Sequence, residues 1–508
     1  MVAMKILVLY VFGIFLVVSS VVAGNALDSN HHHHVNVFRG PIQDCFCDGE
    51  VIEDISESLH EKLHKLVQLR YFRIFQLNLQ NECPYWDDNE LCFSSDCSIC
   101  ECEDHEVPLA WRHQGSCSNS HELCTQLEQP KKQFEQLQNS LKGDSIDDVK
   151  VEHDQWVEEE RENGNESWNV VESREDFLSY VDLIKNPERF TGYKGDSARK
   201  AWHAIYTENC FTFSKNCAEN GICTADSCRA ERVLFRIISG LHTSINAVIV
   251  KEFVFPTESD RECPDAFIRS HPWWKFWKIP HADMYKWRIG HFPERIENLY
   301  FTVAMMLRAL VKARDVLDPK YYGYVTGDEL SDLEAEIAVD ALYQHSILSK
   351  DCKHVLFDES DVFPLKELDD MKGVDNLRDD FRAAFRNISS IMDCVGCESC
   401  KLWGKVQFLG VGTALKILFE DEENVLSHQT KLLKRNEVIA LFNTMHKLTE
   451  SVLWIQRMET IAQNAAMAKR VLNGVVASCC VIVLVSLVAA ALITRTKSKQ
   501  TDTIKKQL

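Results

Sequence analysis

The chain has 508 residues, with 56 Lys and Arg against 76 Asp and Glu, a formal net charge of -20 at pH 7. That balance excludes binding to nucleic acid through its phosphates, which needs a basic surface. Twenty cysteines are many for this length and suit a disulfide network in an oxidising compartment.

In chain order, residues 1–23 hold one lysine, an uncharged run from Ile6 to Val22 and small residues near Ala23, the layout of a cleaved secretory signal. His31 to His34 form a short low-complexity run with no partner ligands near them. A helix is expected over Asp54 to Leu77, in ISESLHEKLHKLVQLRYFRIFQL. Cysteines cluster from Cys45 to Cys124, in CFCDG, NECPYWDDNELC and CFSSDCSICEC, with Asp, Asn, Ser and Pro between them, which is loop chemistry. Residues 143–176 are strongly charged and include the sequon Asn165-Glu166-Ser167, so a surface loop or linker open to glycosylation is expected there.

From about residue 177 the apolar positions recur near i, i+3, i+4 and i+7, in ERVLFRIISGLHTSINAVIVKEF, NLYFTVAMMLRALVKARDVL, NLRDDFRAAFRNISSIMDC and EVIALFNTMHKLTESVLWIQRMETIAQNAAMAK. No alternating strand series stands out. The expected fold is mainly α: one helical lumenal domain over 24–470 with cysteine-bearing loops outside a helical core. The Trp-rich run HPWWKFWKIPHADMYKW, residues 271–287, reads as packing or ligand stacking, and Asn387-Ile388-Ser389 is a second sequon. Val471 to Ile493 then runs 23 residues without a charge, enough to cross a hydrocarbon core about 30 Å thick. With an N-terminal signal, that span makes a type I membrane protein whose basic tail, 494–508, is cytoplasmic. The tail's KKQL resembles a dilysine retrieval signal of the endoplasmic reticulum, a receptor-read address.

The chemistry concentrates in MDCVGCESCKLWGK, residues 392–405, where Cys394, Cys397 and Cys400 are evenly spaced. A bacterial iron-sulfur run would want a cysteine and then proline at Gly404 and Lys405. Zinc would need another Cys or His, and KLWGKVQFLGVG supplies none. No metal is expected. Structural staples or a redox pair remain, because a C-x-x-C at a helix N-terminus exchanges readily. Cys92 and Cys97, in the polar loop region, are a second pair, and two pairs in series make a relay. GVGTAL at 410–415 has Leu415 where a dinucleotide-binding loop needs its third glycine.

CVGCESCKLWGK, NPERFTGYKG at 186–195, RIISGLHTSIN at 236–246, and NECPYW with Cys92 and Cys97 closely resemble the endoplasmic reticulum oxidoreductins. These are flavin-dependent thiol oxidases that reoxidise protein disulfide isomerase and pass electrons to molecular oxygen, giving hydrogen peroxide. The resemblance runs from about Cys45 to Asn464. It implies a helical fold holding FAD, Cys397 and Cys400 as the inner disulfide beside the flavin, and Cys92 and Cys97 as the outer pair facing the isomerase. It further implies staples Cys83 to Cys394 and Cys210 to Cys228, and a flavin site of Arg189, Thr191, Trp202, Ser239, His242, Arg295 and Arg308. Arg288, close to Arg295, competes for the phosphates.

The spare cysteines Cys100, Cys102, Cys117 and Cys124 could capture Cys97 or Cys92 as a gate, or form fixed local staples. Only Cys45 and Cys47 stand where the family carries two C-x-C groups, and Cys217, Cys223, Cys263 and Cys352 have no assigned partner. Two other functions compete: a disulfide-stapled membrane ectodomain without catalysis, and a flavin-free thiol-disulfide exchanger.

Overall fold

The computed structural model describes residues 49–79, 81, 83, 178–188, 201–202, 204–206, 229–279, 281–345, 348, 377–395, 398–420 and 433–505. Of the expected site residues, Cys92, Cys97, Cys397, Cys210, Cys228, Arg189, Thr191 and Asn165 lie outside them, as do the signal, the loop 143–176 and the four spare cysteines.

Helix α1, Gly49–Val67, turns Ile52, Ile55, Leu59, Leu63 and Leu66 inward, all essentially buried, the stripe that a 3.6-residue period dictates. A short helix α2, Arg70–Arg73, leads into strand β1, Ile74–Leu77. The strand pairs antiparallel with β2, Ser179–Asp182, Ile74 opposite Asp182 and Leu77 opposite Ser179. The helix expected through Leu77 therefore stops at Val67. All four β1 residues are buried, so no alternation marks the strand, and its partner arrives only after the cysteine-rich region.

Helix α3 is Arg229–Val254, followed by α4, Glu258–Glu262, and α5, Pro264–Ser270. A 3-10 turn, Trp273–Lys278, and a π turn, Lys286–Gly290, precede α6, Pro293–Lys312. Helices α3 and α6 cross closely at Gly240. A Cβ there would overlap the Thr302 hydroxyl and come within 2.5 Å of the Asn298 carbonyl oxygen, so only glycine admits this approach. Helices α7, Pro319–Tyr322, and α8, Glu329–Tyr343, each begin on an aspartate cap, Asp318 accepting from the Lys320 amide and Asp328 from the Ser331 amide. Helix α9 is Leu377–Met392, α10 is Glu398–Phe419 and α11 is Arg435–Lys505. The architecture is mainly α.

The chain divides into two compact units. The larger comprises Asn36–Glu262 and Met284–Met458, and the smaller includes Cys263–Asp283 and Glu459–Leu508. Among the described residues, two helices are long and apolar enough to cross a membrane. One, Val233–Val254, is largely buried and is a core helix. The other lies in α11, whose 71 residues extend roughly 105 Å. None of its most apolar stretch is buried, and Leu484, Val488 and Ile493 are each about 60 % exposed.

Candidate active site

Cys400 lies in the first turn of α10, partly buried, and its sulfur is engaged in a disulfide. The helix begins at Glu398, directly after the C-x-x-C's first cysteine. Its N-terminus is held from several sides. Just upstream, Cys394 is bonded to Cys83, with the Cα atoms 4.5 Å apart. Downstream, Lys401 donates to the Leu79 carbonyl at 3.0 Å and Lys405 to the Asn78 carbonyl at 3.3 Å. Lys405 also pairs with Asp393 at 2.6 Å, both side chains almost fully buried. Burial pushes the Asp393 carboxyl up, against the pull of Lys405. Gly404 is where the Met392 thioether crosses the helix, and a Cβ would collide with it. The residue that disqualified an iron-sulfur run is thus a packing glycine.

Because Asp393 is buried and charged only alongside its partner, Lys405→Met should cost about 3 to 5 kcal/mol of stability. Urea unfolding measures this, and a loss below about 1 kcal/mol would mean that the pair behaves like a solvated one.

The same helix fixes the segment that leads into Arg189. Trp403 Nε1 donates to the Asn186 carbonyl at 2.7 Å, and Gln407 Nε2 donates to Glu188 Oε1 at 2.6 Å. Glu188 faces Lys447 at 3.4 Å, Lys447 faces Glu450 at 3.6 Å, and Glu450 pairs with Lys251 at 3.2 Å. The Lys447 ammonium also lies 4.8 Å over the Trp403 ring. Burial pulls Lys447 down, but Glu450 and Glu188 outweigh it and hold it above the usual lysine value. Burial raises the Glu188 carboxyl. Burial opposes ionisation of Glu450 as well, yet Lys251 and Lys447 leave it well below the usual carboxylate range. This chain of alternating charges joins α3, α10 and α11 to the Asn186–Glu188 segment.

A second cluster forms on α3. The His242 ring stacks on Trp202, centroids 3.7 Å apart and planes 11° from parallel. The Tyr206 hydroxyl lies 3.0 Å from His242 Nδ1. Asn246 Nδ2 donates to the His242 carbonyl at 2.9 Å and its oxygen accepts from Arg288 at 3.0 Å. Arg295 donates to the Arg288 carbonyl at 2.9 Å, its guanidinium 3.8 Å from the Phe292 ring centroid. Ser239 Oγ accepts from Asn298 at 3.1 Å, and Asn298 Oδ1 accepts from Arg236 at 3.0 Å. Burial first, then Arg295 and Arg288, lower His242 to about 3, so its imidazole is neutral at any pH near 7.

His446 on α11 is also lowered to about 3, chiefly by burial. It stacks on His60, centroids 4.9 Å apart, and its Nε2 lies 3.2 Å from His64 Nδ1. Both His242 and His446 are bases held below their unfolded value of 6.5. Below that pH the unfolded chain binds protons that the folded chain refuses, so stability falls as pH drops toward 3. From pH 7 to pH 5 each such histidine costs about 2 kcal/mol. A His446→Gln variant should lose about 2 kcal/mol less than the parent over that interval in urea unfolding. An equal loss in both would assign the acid sensitivity elsewhere.

The structure thus brings Trp202, Ser239, His242 and Arg295 into one neighbourhood and places Arg288 with them. Arg308 is 13 residues beyond Arg295 on α6, about 20 Å along the axis, so it does not share that cluster. Asn387 is exposed on α9, whereas Ser389 of the same sequon is buried. Sequence reasoning missed Tyr206, Asn246 and Asn298. The first two stand four residues after Trp202 and His242, the spacing that shares a helix face. Asn298 stands three residues after Arg295 on α6, which also shares a face. Chemically, the cluster offers a planar aromatic surface, two guanidiniums able to clasp phosphate, and hydroxyl and amide groups between them. Since the Trp202 and His242 rings touch, a planar ligand would have to stack on an outer face or part them.

Residues 58–455 match the family model for Endoplasmic Reticulum Oxidoreductin 1 (ERO1). The chain is 35 % identical over 429 residues to endoplasmic reticulum oxidoreductin-2 of Arabidopsis thaliana, covering 84 % of this chain and 80 % of that one. It is 32 % identical over 454 residues to human ERO1-like protein alpha, covering 84 % and 91 %. Among solved structures it is similar to Ero1p, described as a source of disulfide bonds for oxidative protein folding in the cell, at a TM-score of 0.53 and 25 % identity, covering 84 % of this chain and 99 % of that one. A mutant of Ero1p gives a TM-score of 0.54 at 27 % identity, covering 81 % and 97 %.

Proposed function

This chain belongs to the Endoplasmic Reticulum Oxidoreductin 1 (ERO1) family, and from that premise we propose that it is an FAD-dependent thiol oxidase that reoxidises protein disulfide isomerase with molecular oxygen. Membership makes it an oxidoreductase of the endoplasmic reticulum with a role in oxidative folding. The finer reading is carried by one observation: a disulfide-bonded Cys400 in the first turn of a buried helix whose anchors lead into the Asn186–Glu188 segment.

The relay runs through thiolate exchange. A thiolate of reduced isomerase attacks one sulfur of the Cys92–Cys97 disulfide, forming a mixed disulfide and releasing the other sulfur. The second isomerase thiol resolves it, leaving isomerase oxidised and Cys92 and Cys97 as a dithiol. This dithiol reduces the Cys397–Cys400 pair in the same way, with Cys397 taking the attack. Cys400 leaves as a thiolate in the first turn of α10, where the unsatisfied amides and helix dipole favour negative charge. Bound FAD would supply the two-electron acceptor for the inner dithiol and the route from there to molecular oxygen. The balance is two thiols and one oxygen molecule consumed, one disulfide and one hydrogen peroxide formed.

The residues of the α3 cluster fit such a group. Trp202 and neutral His242 offer ring surface, while Arg288 and Arg295, with Arg189 and Thr191 beyond the described residues, supply partners for the pyrophosphate. Arg308, at the far end of α6, holds another part of the same long molecule. The catalytic region faces the lumen, anchored through Val471 to Ile493, and the exposed Asn387 is available to a glycan.

The purified chain should be yellow, with one FAD released on denaturation. A folded, colourless protein that cannot be loaded with FAD would sink the proposal. Cys97→Ala should impair oxidation of reduced isomerase far more than oxidation of a small dithiol, which reaches the inner pair directly. Equal impairment of both would remove Cys97 from the outer position.

A further inference from the structure

The smaller compact unit groups the segment Cys263–Asp283 with the part of α11 that starts at Glu459. Within that segment the turn Trp273–Lys278 has two unlike sides. Phe276 is 1 % exposed, and the His271 ring lies between it and Phe267, at 6.4 and 4.3 Å. Trp273 and Trp274 point the other way, 37 % and 54 % exposed, their rings edge to face at 5.8 Å. Lys275 and Lys278 are exposed beside them. The turn is held by backbone bonds from the Lys275 amide to the Pro272 carbonyl, 2.7 Å, and from the Ile279 amide to the Phe276 carbonyl, 3.1 Å. A water-facing indole pair on so well-fixed a turn leaves a large apolar area uncovered.

What shares a compact unit with this turn points to its cover. Ile461, Ala462 and Ala468 are buried, and the helix has no buried residue from Lys469 through the apolar stretch. Ala468 precedes Val471 by three residues, about 4.5 Å along the axis. The compact unit that contains the Trp turn thus also contains the start of the apolar stretch. Indoles with flanking lysines suit the headgroup layer, where the ring meets the acyl boundary, the N–H meets water and ester groups, and the ammonium meets phosphate.

We propose that the turn Trp273–Lys278 is an interfacial membrane anchor, with Trp273 and Trp274 seated in the lumenal headgroup layer and setting the depth of α11. This rests on Val471 to Ile493 being the membrane span.

The test uses the full chain in nanodiscs of phosphatidylcholine brominated either high on the acyl chain or near its end. Residues 459–508 contain no tryptophan, so the span itself contributes no signal. Shallow bromine should quench tryptophan emission more than deep bromine, and Trp273→Phe with Trp274→Phe should lose that excess. Both positions are exposed, and an unchanged thermal melt verifies the fold of the double variant. Equal shallow quenching in parent and variant, or tryptophans quenched only by aqueous iodide, would overturn the proposal and leave this surface to a protein partner. Carbonate extraction separates the two failures. If carbonate strips the chain from membranes, the span reading fails and the anchor with it; if the chain resists carbonate and shallow quenching is absent, the anchor alone fails.

Discussion

Cys400→Ala should abolish oxidation of reduced isomerase, by about three orders of magnitude or more, and leave the protein yellow. In the proposed relay the alanine removes the flavin-side sulfur, so electrons reaching Cys397 would have no onward path. It removes none of the side chains of the α3 cluster, Trp202, His242 and Arg295. Nor does it remove the anchors of α10, which run through Lys401, Trp403, Lys405 and Gln407. Turnover and flavin content thus separate, and rate assays with absorbance spectra of the same preparation read both. Residual turnover within about tenfold of the parent would place the flavin-side sulfur elsewhere. Loss of colour together with activity would make Cys400 structural.

The second large effect concerns stability. The Cys83–Cys394 bond closes a loop with a sequence separation of 311, and in the chain-entropy model a cross-link of that span restrains the unfolded chain by about 5 to 6 kcal/mol. Replacing both cysteines by alanine should lower stability by about that amount in urea unfolding under oxidising conditions. The two single variants should fare worse than the double one. Each leaves a thiol free to capture a working disulfide, and Cys394 stands only three residues from Cys397. Activity should fall too, since the bond fixes the chain just before α10. A loss below about 1 kcal/mol in the double variant would show that the loop is already restrained by other contacts in the unfolded chain.

How far the sequence could be read depended on range. Helices α3, α6, α9 and the first part of α11 were legible because each carries its own apolar stripe at helical spacing. Strand β1 was not, since its four residues are buried on both faces and its partner β2 follows the long cysteine-rich region. The helical reading held for Arg70–Arg73 but failed over Ile74–Leu77 for the same reason. The division of the cysteine triplet came from family resemblance, and even spacing alone could not have separated Cys394 from its neighbours. Trp202, Ser239, His242 and Arg295 entered by the same route. The charge chain through Glu188, Lys447, Glu450 and Lys251 escaped notice because its members lie on elements far apart in sequence.

In the proposed function, electrons taken from isomerase leave by way of oxygen. This is tested by following oxygen uptake, peroxide formation and isomerase oxidation together, with the purified chain and reduced isomerase. Oxygen should be consumed and peroxide formed in equal amount to the isomerase disulfides made, continuing for many turnovers. Isomerase oxidised only up to the amount of chain present, with no oxygen uptake, would contradict it and make the protein a thiol-disulfide exchanger.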